Sequence, residues 1–213
     1  QRQMCIRDSL SEAAKRYDGT IWMNVMPSSR RELTRIPNDH AIADQPDMLR
    51  IGPRDRIGIS GPNGSGKTAL IRRLIEALER DEAQRHSERM PYLYIPQNSS
   101  DMDTANAMNR LHALTDEQRA IVLSAYAQLN ADPDRLLAGG NPSPGELRKL
   151  LLCLGMIEQP QLIIMDEPTN HLDLHSKQAL ANTLSSYAGA LVAVSHDEWF
   201  LNAVTSIRWR CAS

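Results

Sequence analysis

Apolar residues recur along this chain at two periods. DRIGIS (55–60), PYLYIPQ (91–97), QLIIMDEP (161–168), ALVAVSH (190–196) and SIRWR (206–210) read as short strands bounded by turn residues. TALIRRLIEALERDEAQR (68–85) carries an apolar stripe at Leu70, Leu74, Ile75 and Leu78, which predicts an amphipathic helix. PGELRKLLLCLGMIEQ (144–159), closed by Pro160, and SKQALANTLSSY (176–187) predict two more helices. Residues 104–138 read as mainly helical, with Asp132-Pro133-Asp134 as a turn. GTIWMNV (19–25) reads as a strand, and the Pro-, Asp-, Asn- and Arg-rich stretch after it as loops with one hairpin. Strands alternate with helices at both ends, around a helical block. That order predicts an α/β fold: a parallel-sheet core interrupted by an α-helical subdomain at about 100–158.

Composition changes this picture little. The chain has 213 residues, is 41% hydrophobic and 23% charged, and carries a formal net charge of −2, so the totals give no argument for nucleic-acid binding. With one phenylalanine, Phe200, the core must be mostly aliphatic. Cys5, Cys153 and Cys211 have no metal-site spacing and read as free thiols in a reducing compartment. No apolar run approaches the roughly 20 residues of a membrane helix, which suggests a soluble protein or a soluble part of a larger one. QRQMCIRDS (1–9) lacks the apolar centre of a signal peptide and resembles translated sequencing adapter. On that reading the chain is a fragment, with 10–213 as a single domain.

The chemistry lies at the predicted strand ends. GPNGSGKT, from Gly61 through Pro62, Asn63, Gly64, Ser65, Gly66 and Lys67 to Thr68, fits G-x-x-x-x-G-K-[ST] between a strand and a helix. Glycines let the backbone curl round a phosphate, and the helix N-terminus faces the anion. Lys67 is spaced to reach the β- and γ-phosphates, and the Thr68 hydroxyl to ligate Mg²⁺. In LIIMDE (162–167) a buried strand ends in two carboxylates. Asp166 there suits Mg²⁺ and Glu167 suits activation of water, against the plainer reading of a solvated strand exit. His196 and Gln97 also end strands. The first suits a γ-phosphate or the water-activating Glu, the second Mg²⁺ and water; each is otherwise an ordinary loop residue.

Taken together these pieces resemble an ATP-binding cassette. GPNGSGKT resembles Walker A, Gln97 the Q-loop, LIIMDE Walker B, Asp173 the D-loop aspartate and His196 the switch histidine. DEPTNHLDL (166–174) and SHDEWFL (195–201) are similar to the F class, soluble proteins usually carrying two cassettes on one chain and no transmembrane domain. The resemblance covers roughly residues 50–210 and implies a P-loop NTPase fold, a cytoplasmic protein, ATP and Mg²⁺ as ligands, and ATP hydrolysis. It also implies that two cassettes sandwich ATP head to tail. Ser143, Gly145 and Glu146, in the signature position, would then serve nucleotide held by the other cassette. The partner is a second cassette, on the same full-length chain or in a homodimer. Several members act on ribosomes, and their linker reaches toward tRNA. The ending resembles a second, C-terminal cassette.

Two departures stand out. The signature reads Pro142-Ser143-Pro144-Gly145-Glu146 rather than LSGGQ, and the aromatic that stacks on adenine in the family is assigned to neither of its candidates here, Tyr17 and Trp22. An isolated cassette is expected to hydrolyse ATP slowly. The alternatives are the ATPase subunit of a transporter and an ATP-gated binding module with little hydrolysis. Read locally, Ser143-Pro144-Gly145-Glu146 is also a capping box, with Ser at N-cap, Pro at N1 and Glu at N3.

Overall fold

The computed structural model describes residues 25–84 and 90–211. The strand expected at 19–25 lies outside the described residues except for Val25, as do Tyr17, Trp22 and Cys5. The chain divides into two compact units. One comprises 25–84, 90–97, 160–169 and 188–211; the other 98–159 and 170–187.

The first unit is a parallel sheet with a small antiparallel pair. Strands β1 (Thr34–Pro37) and β2 (Met48–Ile51) pair antiparallel, with Thr34 opposite Ile51; they are the expected hairpin. The main sheet has the order β4-β5-β6-β3-β7, formed by β3 (Arg56–Ser60), β4 (Tyr92–Ile95), β5 (Leu162–Asp166), β6 (Ala190–Val194) and β7 (Ile207–Arg210). All its pairings are parallel. Of the interior strands, β5 and β6 are buried at every residue, which explains their unbroken apolar runs.

Helix α1 (Lys67–Gln84) packs on this sheet. Its buried face is Leu70, Ile71, Leu74, Ala77 and Leu78, joined by Ile57, Ile59, Ile164, Val192 and Trp209 in a mainly aliphatic core. Ile71 belongs to the stripe, whereas Ile75 is only partly buried at its margin. The short helix α7 (Glu198–Val204), capped by Asp197, was not expected from the sequence; its seven residues show little period.

The second unit is helical: α2 (Asp101–Ala113), α3 (Asp116–Gln128), α4 (Pro133–Leu137), α5 (Pro144–Met156) and α6 (Leu174–Ser185). Val122, Leu123, Tyr126, Leu150, Leu154 and Leu184 are among its buried side chains. The break at Leu114–Thr115 follows from chemistry. Thr115 starts α3 with a capping box to Gln118, as Ser100 starts α2 with one to Asp103. Asp132 caps α4 with Pro133 just inside, and Asp173 caps α6, which starts at Leu174, two residues before the predicted start. Helix α5 stops at Met156, and Gln159 turns left-handed with φ 49° ahead of Pro160.

Candidate functional site

Four candidate segments follow four strands of one parallel sheet at its carboxyl edge, where ligands bind in such sheets. The loop Gly61–Gly66 follows β3, Gln97 lies two residues past β4, Glu167 follows β5, and His196 stands two residues past β6. Register converges on Val194 of β6, which pairs with Ile59 on one side and Asp166 on the other.

The phosphate-type loop is built by glycine. Gly64 and Gly66 have φ of 81° and 85°, which side-chain-bearing residues adopt only with strain. A Cβ placed on either would meet no heavy atom within 4 Å, so these faces of the loop are open. Gly61 is different: a Cβ there would stand 2.9 Å from both Cys211 Cβ and Ser65 Oγ. Helix α1 begins at Lys67 with no carboxylate in its first turn. The other six described helices each begin with a side-chain oxygen accepting from their own backbone. The positive end of α1 is thus left for an anion. Lys67, buried, folds over the loop and donates from Nζ to Gly61 O and Pro62 O, each at 2.8 Å.

Beside this loop, Thr68 Oγ1 donates to Asp166 Oδ2 at 3.0 Å, and Asp166 is 2% exposed. A hydroxyl and a carboxylate oxygen are the hard donors that Mg²⁺ takes, usually in ones and twos with substrate phosphate and water completing the shell. Among the described residues no cluster of three His, Cys, Asp or Glu could hold a metal by itself. The Thr68 hydroxyl and Asp166 carboxylate are donors that fit a metal whose other ligands are phosphate and water. Asp166 also raises the pKa of Tyr94 on β4, after desolvation of that phenol as the larger cause.

Glu167 is held in an unusual way. Its φ is 49°, left-handed for a residue with a side chain, and its N–H donates to Val194 O at 2.8 Å. Backbone strain of this sort is retained where surrounding contacts fix it. The carboxylate is buried. Oε2 accepts the His196 backbone N–H at 3.3 Å, and Oε1 lies 3.3 Å from His196 Nε2 without the angle of a hydrogen bond. A buried carboxylate oxygen with no hydrogen bond is a place for a proton donor. The His196 side chain is half exposed.

Sequence reasoning did not single out Thr169 and Ser195. Their hydroxyls, both buried, lie 3.2 Å apart, and Ser195 Oγ also accepts from Asp197 N at 3.1 Å. They join the loop after Glu167 to the loop carrying His196. Their signal was the Ser and Thr within DEPT and VSHD, too common as residue types to weigh alone.

In the helical unit, Ser143 starts α5 with the predicted capping box: Glu146 N donates to Ser143 Oγ at 3.3 Å and Ser143 N to Glu146 Oε2 at 2.7 Å. Gly145 is buried in the first turn, while Ser143 and Pro144 are exposed. Burial pushes the Glu146 carboxyl up, but hydrogen bonds from Ser143, and then the positive charges of Arg135 and Lys149, outweigh it and hold it below its ordinary value.

Cys153 and Cys211 are free and buried, and burial raises both thiols above the usual range. A groove of about 600 Å³ lined partly by Met48, Arg50, Ile207 and Trp209 holds none of the candidate residues. No described helix is long and apolar enough to cross a membrane.

Comparison with known proteins agrees with this geometry. A family model described as ABC transporter matches residues 44–170. The chain is 33% identical over 159 residues to ribosome protection protein VmlR of Bacillus subtilis, covering 71% of this chain and 28% of that protein. It is 33% identical over 159 residues to ATP-binding protein Uup of Caulobacter vibrioides, covering 74% and 26%. It is 31% identical over 170 residues to ABC transporter F family member 2 of Arabidopsis thaliana, covering 74% and 24%. The chain thus spans about a quarter of the length of these relatives. The solved structure of a bacterial Atm1-family ABC exporter with ATP bound superposes with a TM-score of 0.61 at 18% identity, over 89% of this chain and 40% of that one, a likeness of fold. With the family model covering more than half its length, and the phosphate-type loop, acid pair and histidine at one sheet edge, this chain belongs to the ABC transporter family as an ATP-binding cassette.

Proposed function

We propose that this chain binds MgATP and hydrolyses it as one of two cassettes that close head to tail on the nucleotide. The observation that carries the reading is the Glu167 carboxylate: buried, held through His196, and directly after an Asp166 that accepts from Thr68 of the phosphate loop. The loop Gly61–Gly66 and the start of α1 cradle the phosphates, and Lys67 neutralises charge on the β- and γ-groups. Thr68, Asp166 and Gln97 would hold the metal, which would supply screening of the phosphate charge.

Glu167 Oε1 takes a proton from the attacking water as its oxygen bonds to the γ-phosphorus. The bond to the bridging oxygen breaks, and ADP leaves. His196 orients Glu167 and faces the γ-phosphate. Ser143, Gly145 and Glu146 serve the nucleotide of the opposite cassette, offering the Gly145 N–H and the positive end of α5. Closure needs a second cassette, so the isolated chain turns over slowly. A ribosomal target is proposed from likeness to a protein named for ribosome protection; co-sedimentation with ribosomes rather than membranes separates this reading from a transporter subunit.

The test is Glu167→Gln. ATP affinity should stay within about threefold while phosphate release falls about 10²- to 10⁴-fold, the range for a lost general base. Turnover equal to the parent's would remove Glu167 from the chemistry.

A further inference from the structure

Two adjacent cations, Arg148 and Lys149, are buried in the middle of α5, 5% and 6% exposed. Burying a cation costs several kcal/mol unless hydrogen bonds and opposite charge compensate, so their partners show what they hold. Lys149 Nζ donates to Ser176 Oγ at 2.8 Å and to Asn130 O at 3.0 Å. Ser176, fully buried, passes the link on: its Oγ donates to Asp173 Oδ2 at 2.8 Å and its N–H to Asp173 Oδ1 at 2.9 Å. Arg148 donates to the Asn170 carbonyl. One turn earlier, a Cβ on Gly145 would stand 3.0 Å from both His171 O and Leu172 Cδ2.

Gly145, Arg148 and Lys149 are spaced i, i+3, i+4 and so share one face of the helix. That face grips the loop Asn170–Asp173, whose His171 is left-handed with φ 62°. The helix that opens on Ser143-Pro144-Gly145-Glu146 and the loop that ends in Asp173 are therefore fastened to each other within the helical unit.

We propose that Arg148 and Lys149 are positioning residues that lock the loop Asn170–Asp173 to α5, so that loop and signature meet the opposing cassette as one rigid piece. This deepens the two-cassette reading and rests on it. Lys149 is central because it sits between the Asp173 and Glu146 carboxylates, one from each part, and bonds to the hydroxyl that Asp173 holds.

The test uses Lys149→Met, with Ser176→Ala as a second variant that deletes only the bridging hydroxyl. Hydrogen exchange of the purified chain should rise about tenfold or more at the amides of residues 170–176 in either variant. Fluorescent ATP binding at the phosphate loop should stay within about threefold. Unchanged exchange in a folded Ser176→Ala protein overturns the lock, whether or not the chains pair. In a Glu167→Gln background, ATP-dependent pairing by light scattering should weaken at least tenfold on adding Lys149→Met. Equal pairing would overturn its role in docking. Failure of Glu167→Gln itself to pair would instead sink the sandwich reading, and exchange would still decide the lock.

Discussion

Both oxygens of the Glu167 carboxylate face one residue: Oε2 accepts the His196 N–H at 3.3 Å, and Oε1 lies 3.3 Å from His196 Nε2. The backbone contact survives any side-chain replacement, so His196→Ala removes the imidazole without freeing the carboxylate. ATP affinity should stay within about threefold and phosphate release should fall about 10²-fold, at the lower end of general-base losses because Glu167 remains. Steady-state phosphate release alongside a nucleotide titration checks this; release within threefold of the parent would mean that the imidazole does no work on Glu167.

The Thr169–Ser195 hydroxyl pair predicts a second, milder loss. Thr169 follows Glu167 by two residues, and Ser195 precedes His196 by one, so the 3.2 Å contact sets the spacing of the two loops. Thr169→Val keeps the volume and deletes the bond, leaving Ser195 Oγ only its contact from Asp197 N. Stability should fall by about 1 kcal/mol, the usual cost of a buried hydrogen bond. kcat should fall about tenfold with KM for ATP unchanged, and Thr169→Ser should restore most of it. A rise in KM alongside the fall in kcat would point to damage in the phosphate loop instead.

Much of this site was legible because its chemistry is local. GPNGSGKT fixes its own turn through glycine and the helix start, and LIIMDE announces a buried strand ending in acid. The capping box Ser143–Glu146 was equally readable, since N-cap and N3 are three residues apart. What escaped was carried by tertiary contact. Arg148 and Lys149 look like the solvated face of a helix, yet they are buried because a loop more than twenty residues on closes over them. Thr169 and Ser195 are 26 residues apart, and only the parallel sheet brings them together. Helix α7 is too short to show a period, and the Thr115 break is marked only by a Thr-x-x-Gln capping pattern inside a stretch that reads as helical throughout.

Acid should weaken the helical unit through its caps. Asp173 and Asp103 both lie below their ordinary 3.8, held chiefly by backbone N–H donation, from Ser176 and from Ser100 respectively, with the hydroxyls adding to it. A carboxyl whose folded pKa is depressed stabilises the fold above its unfolded value. That contribution fades as pH falls through the folded value. Loss should therefore begin near pH 3.8 and deepen below it. Asn at both positions keeps a cap acceptor but cannot titrate, so the double variant should be less stable at neutral pH. Its stability should also depend less on pH in this range, by up to about two protons. Denaturant melts followed by circular dichroism from neutral to acid pH measure both; an unchanged acid slope would remove these carboxylates from the account.

Pro144 is the departure that most invites a reading as damage, and its geometry argues otherwise. It occupies N1 of α5, where its missing N–H is one the helix would not use internally, and the Ser143–Glu146 box closes around it with both bonds made. Gly145, at N2, keeps its N–H, and the Ser143 side chain accepts from Glu146 N at a long 3.3 Å. That hydroxyl is weakly committed, and under the proposed two-cassette function it caps without nucleotide and turns to phosphate when an opposing cassette closes. Pro144→Gly should cost about 0.5–1 kcal/mol by loosening the unfolded chain and the first turn. It should change hydrolysis by a two-cassette protein less than about threefold: it restores an N–H at N1, but the Gly145 N–H and the positive helix end already face the phosphate and are unchanged. Ser143→Ala removes the cap acceptor and should cost about 1 kcal/mol. It should lower paired hydrolysis by tenfold or more and leave cis ATP binding intact. Measuring thermal stability and phosphate release for both variants separates the two roles. A many-fold gain in hydrolysis from Pro144→Gly would make the proline a brake on the signature rather than a stiffener of its helix.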